Sequence, residues 1–297
     1  MGSANVDAGG FVNRVAALLL LLLMPAVAAS VVLGAQLYLG RGVRYSTMLM
    51  VASLALFIYA ANGLSDSVED VANNAAKADA LRRHAVWTLA LSGCGIVVAG
   101  LLLALQHRLH RAYAVILSVG LVYSFRVIPH PLRGGRPPVR LKDILLVKNL
   151  TIGATWAAAA FWCPVLDLET APAAPARVGI VGVSYALLVA VNSLFCDVRD
   201  EPGDRACNVN TLPVRFGAER CFRGTMVLMV LWTAFLCAAF ARGVLDAPHL
   251  AILGALALGY PAVVWLSIAR LQPSQAVSSG VIESSDILFM LGLVALS

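Results

Sequence analysis

Long apolar runs separated by short polar segments dominate this chain of 297 residues. Most of the runs approach the ~20 residues that a membrane-spanning helix needs. Strands are disfavoured, because the open edge of a sheet cannot face lipid. The pattern therefore predicts an all-α integral membrane protein, with about nine transmembrane helices in one bundle that forms a single polytopic domain over residues 1–297. The predicted helices cover roughly residues 15–38, 46–64, 85–106, 112–128, 144–163, 178–196, 223–242 and 249–268, with a ninth, about half a span long, at 287–297.

Composition and charge support the membrane assignment. Hydrophobic residues make up 60% of the chain and charged residues only 13%, whereas soluble domains carry about 25% charged residues. If the helices alternate in direction, 16 of the 22 Lys and Arg residues lie on one side. Because basic loops stay in the cytoplasm, we expect a multi-pass cell-membrane protein whose N-terminus and polar motifs are cytoplasmic. The net charge of +6 reflects this topology, and no nucleic-acid-binding motif accompanies it, so no nucleic-acid partner is expected.

Two acidic clusters follow apolar runs. A carboxylate near hydrocarbon is costly, so such clusters point to function. Polar side chains four residues apart share one face of a helix, and oxygen donors in that arrangement suit Mg²⁺ bound together with phosphate. Either cluster alone is also typical of a solvated helix end, but two at equivalent places favour a metal site. The clusters are Asn62, Asp66 and Asp70, and Asp197, Asp200 and Asp204.

Within the second cluster, Pro202 and Gly203 are expected to end the preceding helix, since proline cannot continue the backbone hydrogen-bond ladder. This would place Asp204 in a turn.

The loop between the fourth and fifth predicted helices concentrates cations. It begins with Tyr123-Ser-Phe-Arg126 and continues through a stretch rich in Pro and Gly. Cations of this kind bind phosphate oxygens through charge-assisted hydrogen bonds. Alone, such a loop is more often a topology signal of the positive-inside kind, but beside two acidic clusters it is predicted to clamp a diphosphate. Its cations are Arg126, Arg133, Arg136, Arg140 and Lys142, with Lys148 shortly after.

The second acidic cluster resembles a signature of the UbiA superfamily of intramembrane prenyltransferases. The matching residues are Asp-Val-Arg-Asp-Glu-Pro-Gly-Asp-Arg from 197 to 205 and Asn-Thr-Leu-Pro-Val-Arg-Phe-Gly from 210 to 217. The spacing of Asn62, Asp66 and Asp70 resembles the first signature of that superfamily. Tyr123-Ser and Arg140-Leu-Lys142 resemble the tyrosine and the basic segment that follow its fourth helix.

The resemblance implies a nine-helix bundle around a central cavity that opens laterally to lipid. Members bind an isoprenyl diphosphate through two Mg²⁺ ions and ionise it to an allylic carbocation. An aromatic or other lipophilic acceptor then captures the isoprenyl group. The superfamily pattern thus implies Mg²⁺ as cofactor, and an isoprenyl diphosphate, a lipophilic acceptor and the lipid bilayer as partners.

The same pattern assigns roles to individual residues. Asn62, Asp66 and Asp70 would hold one Mg²⁺ ion, and Asp200 and Asp204 the other. Arg140 and Lys142 would stabilise the departing diphosphate, and Tyr123 would face the cation or the leaving group. The residues expected to contact the substrate in addition are Arg126, Arg136, Lys148 and Asp197, the last also supporting the metal ligands.

Three other functions remain open. A terpene cyclase of the same superfamily needs the same metal site, but its cation is captured by the substrate's own double bonds. Aromatic residues, which stabilise such a cation, are only 7% of the chain and do not cluster around the motifs; this favours a transferase. A transporter would place acidic residues near the membrane midplane on broken helices, whereas here they follow helix ends. A catalytically inactive homologue is disfavoured because both acidic clusters are complete.

Overall fold

The computed structural model describes residues 23–65, 67–129, 138–166, 168, 172, 174–207, 209–268 and 275–297, with the side chains of 67–78, 80, 81, 275–280 and 283 excepted. These residues form a bundle of helices joined by short connections, as predicted. The main helices are α1 (Leu23–Tyr38), α2 (Tyr45–Ser65), α3 (Ser67–Leu105), α4 (Arg111–Ser124), α5 (Val147–Leu166), α6 (Pro175–Ala206), α7 (Ala218–Ala241), α8 (Ala247–Leu266) and α9 (Gln275–Leu296). A 3₁₀ turn, Leu141–Asp143, and a short helix, Leu212–Phe216, complete the described elements.

Six of these helices contain stretches long and apolar enough to cross a membrane, namely those in α2, α3, α5, α6, α7 and α8. Shorter apolar stretches lie in α1, in α4 and over Ser284–Leu296 of α9. The all-helical fold class is therefore confirmed. That all nine helices span the bilayer, and that the N-terminus is cytoplasmic, remain predictions.

The last helix is longer than its apolar run predicted. α9 has 22 residues and begins at Gln275, twelve residues before the predicted start. Its first half is polar, which ended the apolar run, yet Ser285 and Asp286 are buried inside the bundle. Asp286 accepts a hydrogen bond from the Tyr185 hydroxyl at 2.8 Å. Ser285 and Asp286 thus face protein, where a pattern based on lipid exposure does not detect them.

The second acidic cluster also lies on a longer helix than predicted. α6 continues through Pro202 to Ala206, so the expected turn at Asp204 is wrong. Proline removes only one hydrogen bond, the one that its own N–H would give to the Val198 carbonyl. At 32 residues the helix is about 48 Å long, well beyond the ~30 Å hydrocarbon core. Its last turns can therefore carry carboxylates clear of lipid.

α6 is the central helix of the bundle, and α5 packs closely along it. Of the residues in the most apolar stretch of α6, 61% are buried. The corresponding share is 17% in α3 and 22% in α7, so these two helices are peripheral. A Cβ atom on Gly153 of α5 would come within 2.3 Å of the Ala186 carbonyl oxygen. One on Gly182 of α6 would come within 2.6 Å of the Trp162 ring. Both glycines are required by this close approach, which fixes the register of the two helices.

Candidate active site

A cavity of about 380 Å³ lies between α1, α2, α4, α5 and α6. Its charged end is formed where α2, α4 and α6 end and α5 begins, and the remainder lies along the helix interiors. The polar wall includes Asn62, Tyr123, Arg140, Lys142, Asp143, Lys148, Asp197, Arg199, Asp200, Asp204 and Thr211. The apolar wall includes Met24, Val51, Leu54, Ile58, Ile116, Val119, Ile152, Trp156, Ala159 and Val189.

The α6 wall carries the second acidic cluster. Asp200 and Asp204 are one helical turn apart and both line the cavity. The Asp200 carboxylate accepts two hydrogen bonds from Arg199, each 2.8 Å long. Asp204 is buried, with 7% of its surface exposed. These two carboxylates therefore present oxygen atoms to the charged end of the cavity.

Asp197 has a different environment, because α5 supplies its partners. Lys148 Nζ lies 2.5 Å from one carboxylate oxygen, and Asn149 Nδ2 donates to the other at 3.1 Å. Asn149 also donates to the Ser193 hydroxyl at 3.1 Å. Immediately before these residues, Leu146 has a φ of +68°, a strained value for a residue other than glycine. This bend turns the chain into α5 and directs Lys148 and Asn149 toward α6.

The basic segment contributes a carboxylate that the sequence analysis missed. Asp143 accepts hydrogen bonds from the Arg140 backbone N–H at 3.0 Å and from Arg140 Nε at 2.9 Å. Burial alone would raise the pKa of the Asp143 carboxyl, but hydrogen bonds and charge from Arg140 outweigh it and hold that pKa below its usual range. Asp143 therefore stays ionised and fixes the buried Arg140 guanidinium at the cavity wall. The i,i+3 spacing of the two residues was the available signal.

Lys142 links the basic segment to the first acidic cluster. Its Nζ donates to the Asn62 amide oxygen at 2.9 Å. The same ammonium group lies 5.9 Å from the centre of the Tyr123 ring, within the range of a cation–π contact. Three residues from separate parts of the chain thus meet at one point of the wall.

The fold brings together most of the predicted site residues. Those that line the cavity are Asn62, Tyr123, Arg140, Lys142, Lys148, Asp197, Asp200 and Asp204. Arg126 is exposed and does not belong to the lining, although its charge helps to lower the pKa of Asp143. Asp66, Arg133 and Arg136 lie outside the described residues, and for Asp70 the structure describes only its place in α3. The predicted roles of all these residues remain predictions.

The charged end of the cavity contains oxygen donors suited to Mg²⁺. Among the described side chains no group of three or more His, Cys, Asp and Glu is gathered around one point. Asp200, Asp204 and Asn62 do, however, offer carboxylate and amide oxygens to one cavity, and these are the donors that Mg²⁺ prefers when phosphate supplies the rest of its shell. The residues present therefore fit Mg²⁺ bound together with a phosphate ligand.

Three aromatic side chains line the cavity, of which only Tyr123 was predicted as a site residue. Tyr59, Tyr123 and Trp156 line it from α2, α4 and α5. They are far apart in the sequence, so their shared place in the cavity wall depends on helix packing.

Comparison with known proteins gives consistent results. The sequence model of the UbiA prenyltransferase family matches residues 15–282. A homogentisate phytyltransferase from Synechocystis is 25% identical over 181 residues, which cover 57% of this chain and 54% of the relative. The match thus spans about half the length of that enzyme.

Solved structures share the fold at low sequence identity. A UbiA homologue from Archaeoglobus fulgidus bound to GPP and Mg²⁺ has a TM-score of 0.63 at 16% identity, covering 93% of this chain and 98% of the homologue. A UbiA homologue from Aeropyrum pernix, solved in the apo form, has a TM-score of 0.59 at 16% identity, covering 92% and 97%. The likeness at this level of identity concerns the fold.

Proposed function

The chain belongs to the UbiA prenyltransferase family, and from this premise we propose that it transfers an isoprenyl group from an isoprenyl diphosphate to a lipophilic, aromatic acceptor within the membrane. The allylic C–O bond breaks and its electron pair leaves with the diphosphate. A nucleophilic carbon or oxygen of the acceptor then bonds to the allylic cation, and the proton lost by the acceptor leaves with the diphosphate.

The observation that carries the proposal is the division of one cavity into a charged end and an apolar remainder. An isoprenyl diphosphate has the same two parts, a highly charged head and a hydrocarbon chain. Arg140, Lys142 and Lys148 supply cations for the charged head. Leu54, Ile116 and Ile152 belong to the apolar wall, along which the hydrocarbon chain of the substrate would lie. The volume of about 380 Å³ lies within the ~300–1,000 Å³ of small-molecule sites.

Asp200 and Asp204, with Asn62 opposite, would hold Mg²⁺ together with the predicted ligands Asp66 and Asp70, in a site for two ions. Bound Mg²⁺ would neutralise diphosphate charge as it develops on the leaving group. The homologue from Archaeoglobus fulgidus, which is bound to GPP and Mg²⁺, supports this choice of ligand and ion.

The protein's own groups perform the remaining tasks. The guanidinium of Arg140, fixed by Asp143, and the ammonium of Lys142 would donate hydrogen bonds to phosphate oxygens and favour departure of the diphosphate. The Tyr123 ring and the Trp156 ring, both in the cavity wall, would stabilise the allylic cation through their faces. Apolar helix walls exclude water, which would otherwise capture the cation.

The proposal includes the topology expected from the charge distribution. The charged end of the cavity would face the cytoplasm of a multi-pass cell-membrane protein, because the loops at that end carry most of the basic residues.

A terpene cyclase is the second candidate, and the three aromatic rings of the cavity favour it. The test is to incubate the purified protein and Mg²⁺ with allylic diphosphates of several lengths, with and without aromatic acceptors that include homogentisate. We expect prenylated product only when an acceptor is present. A cyclised hydrocarbon or alcohol formed without acceptor would replace the transferase by the cyclase. Failure to consume any allylic diphosphate would overturn both.

A further inference from the structure

Thr211 has a buried hydroxyl group that is not used within the fold. Only 4% of the residue is exposed, and in the part of the chain that the structure describes its Oγ1 atom has no hydrogen-bond partner. Buried polar atoms almost always have a partner, so this one requires an explanation. Thr211 belongs to the wall of the 380 Å³ cavity, where a ligand can supply the missing partner.

The local backbone explains why the hydroxyl is left over. Thr211 directly precedes the short helix Leu212–Phe216, a position where a threonine hydroxyl ordinarily accepts a hydrogen bond from a backbone N–H two or three residues on. Here it makes no such bond, and Pro213, two residues on, has no N–H to offer. The backbone groups of Thr211 are satisfied, since its N–H donates to Val209 at 3.2 Å and its carbonyl accepts from Arg215 at 3.1 Å. Only the side chain lacks a partner.

The position of Thr211 identifies the part of a ligand that it would meet. The chain folds back after α6, so that the Val209 N–H donates to the Asp204 carbonyl at 2.8 Å. Val209 and Thr211 therefore line the cavity beside Asp204, at its charged end. A ligand group at this end is anionic in the proposed function, and a hydroxyl can donate to it.

We propose that Thr211 is a substrate-contacting residue whose Oγ1–H donates a hydrogen bond to a phosphate oxygen of the isoprenyl diphosphate. This inference rests on the proposed function and adds a neutral donor to the cationic clamp. It also predicts opposite effects on folding and on binding, because an unpartnered buried hydroxyl destabilises the free protein and is satisfied only in the complex.

The test compares Thr211→Val, which removes the hydroxyl at nearly the same size, with Thr211→Ser, which retains it. Ser285 Oγ, a second buried hydroxyl that has no partner among the described residues, provides the matched control, because it lies on α9 and outside the cavity lining. For each variant and wild type, one would measure the Kd of an isoprenyl diphosphate, of inorganic diphosphate and of the matching isoprenyl alcohol. The thermal midpoint without ligand is measured alongside.

We expect Thr211→Val to weaken binding of both diphosphates about tenfold, the loss typical of one hydrogen bond to a charged group, while leaving the alcohol unaffected. Its ligand-free thermal midpoint should equal or exceed that of wild type. Thr211→Ser should bind like wild type. Ser285→Ala should share the stability effect and leave all three dissociation constants unchanged.

Unchanged diphosphate binding by Thr211→Val, with the wild type binding normally, would overturn the inference, because the hydroxyl would then contact only water. A loss confined to the isoprenyl alcohol would also overturn it, by placing Thr211 against the chain instead of the head. Failure of the wild type itself to bind any isoprenyl diphosphate would be a failure of the proposed function, and the two results are thus distinguishable.

Discussion

Each end of α6 belongs to a cluster of polar and charged groups, and the two clusters have different surroundings. At one end Asp200 and Asp204 line the cavity of the candidate site. At the other end Arg177, in the first turn of α6, belongs to a cluster with Tyr38, Asp246 and His249, called here the distal cluster. Arg177 pairs with Asp246 at 3.0 Å, His249 Nδ1 lies 2.5 Å from the same carboxyl group, and Tyr38 Oη lies 3.1 Å from His249 Nε2.

The distal cluster fastens helix ends to one another. Asp246 also accepts a hydrogen bond from the His249 backbone N–H at 3.1 Å and so caps α8. The cluster joins the end of α1 to the starts of α6 and α8. A cavity of about 480 Å³ borders it, but among the described residues no carboxylate lines that cavity. The two ends therefore differ in one respect: carboxylates and cations line the same cavity at the candidate site, whereas among the described residues only cations and neutral groups line the cavity beside the distal cluster.

The largest expected effect comes from the carboxylates of the candidate site. Asp200→Ala and Asp204→Ala should each lower kcat/KM at least about 1,000-fold, because they remove ionised oxygen donors from the position where leaving-group charge is stabilised. Asp246→Asn in the distal cluster should retain kcat/KM within about threefold. Steady-state kinetics, with thermal midpoints to verify folding, would measure both. Near-normal turnover by either alanine variant would mean that the candidate site is no more important for activity than the distal cluster.

The cations of the basic segment should show the next largest effect. Arg140→Ala combined with Lys142→Ala should lower kcat/KM about 100-fold, since two charge-assisted hydrogen bonds to the diphosphate are lost. The matched control is Arg220→Ala combined with Arg223→Ala, which removes the same charge from exposed positions in the first turns of α7. Equal kinetics for the two double variants would mean that Arg140 and Lys142 act only as topology signals.

The Lys148–Asp197 pair separates stability from function. Lys148→Met leaves a carboxylate with 5% of its side chain exposed and without its cation, so we expect a loss of about 3 kcal/mol in unfolding free energy. Adding Asp197→Asn should restore most of that stability without restoring activity, because in the proposed function Lys148 is also a cation for the diphosphate. A double-mutant cycle would compare the unfolding free energy and kcat/KM of wild type, the two single variants and the double variant. If the double variant recovered both its unfolding free energy and its kcat/KM, the role of the pair would be purely structural.

The smallest effect is the pH dependence of the distal cluster. Hydrogen bonds from the His249 ring and backbone N–H, with the charge of Arg177, hold the pKa of Asp246 below its ordinary value of 3.8. Because the pKa is depressed on folding, the stabilisation is complete above 3.8 and is lost as the pH falls through the lower, folded value. The difference in thermal midpoint between wild type and Asp246→Asn should therefore stay constant from neutral pH to about pH 5 and shrink only in stronger acid. A difference that shrank near neutrality would assign the stabilisation to another titrating group.

Sequence reasoning predicted the features that hydrophobicity controls. The helix positions follow from apolar runs, and the two acidic clusters stand out because carboxylates are rare beside such runs. Nearly all of the described candidate residues then line one cavity. What the sequence did not reveal depends on tertiary packing. Asp286 is satisfied by Tyr185 inside the bundle, so the polar half of α9 was not recognised as helix.

Three other differences concern single residues. Pro202 was expected to end α6, but the helix continues to Ala206, because proline removes only one hydrogen bond of the helix backbone. Tyr59 and Trp156 lie nearly a hundred residues apart in the sequence, and the packing of α2 and α5 places both in the cavity wall. Asp143 was not among the predicted site residues, because its hydrogen bonds with Arg140 depend on the 3₁₀ turn Leu141–Asp143.

The most direct test of the proposed function is a structure of the purified protein with a non-hydrolysable isoprenyl diphosphate analogue and Mg²⁺. We expect the diphosphate at the charged end, between Asp200 and Asp204 on one side and Arg140, Lys142 and Lys148 on the other. The hydrocarbon chain should run along the apolar wall past Ile116 and Trp156. An analogue bound beside the distal cluster, or one whose diphosphate lies away from both carboxylates, would contradict the assignment of the site.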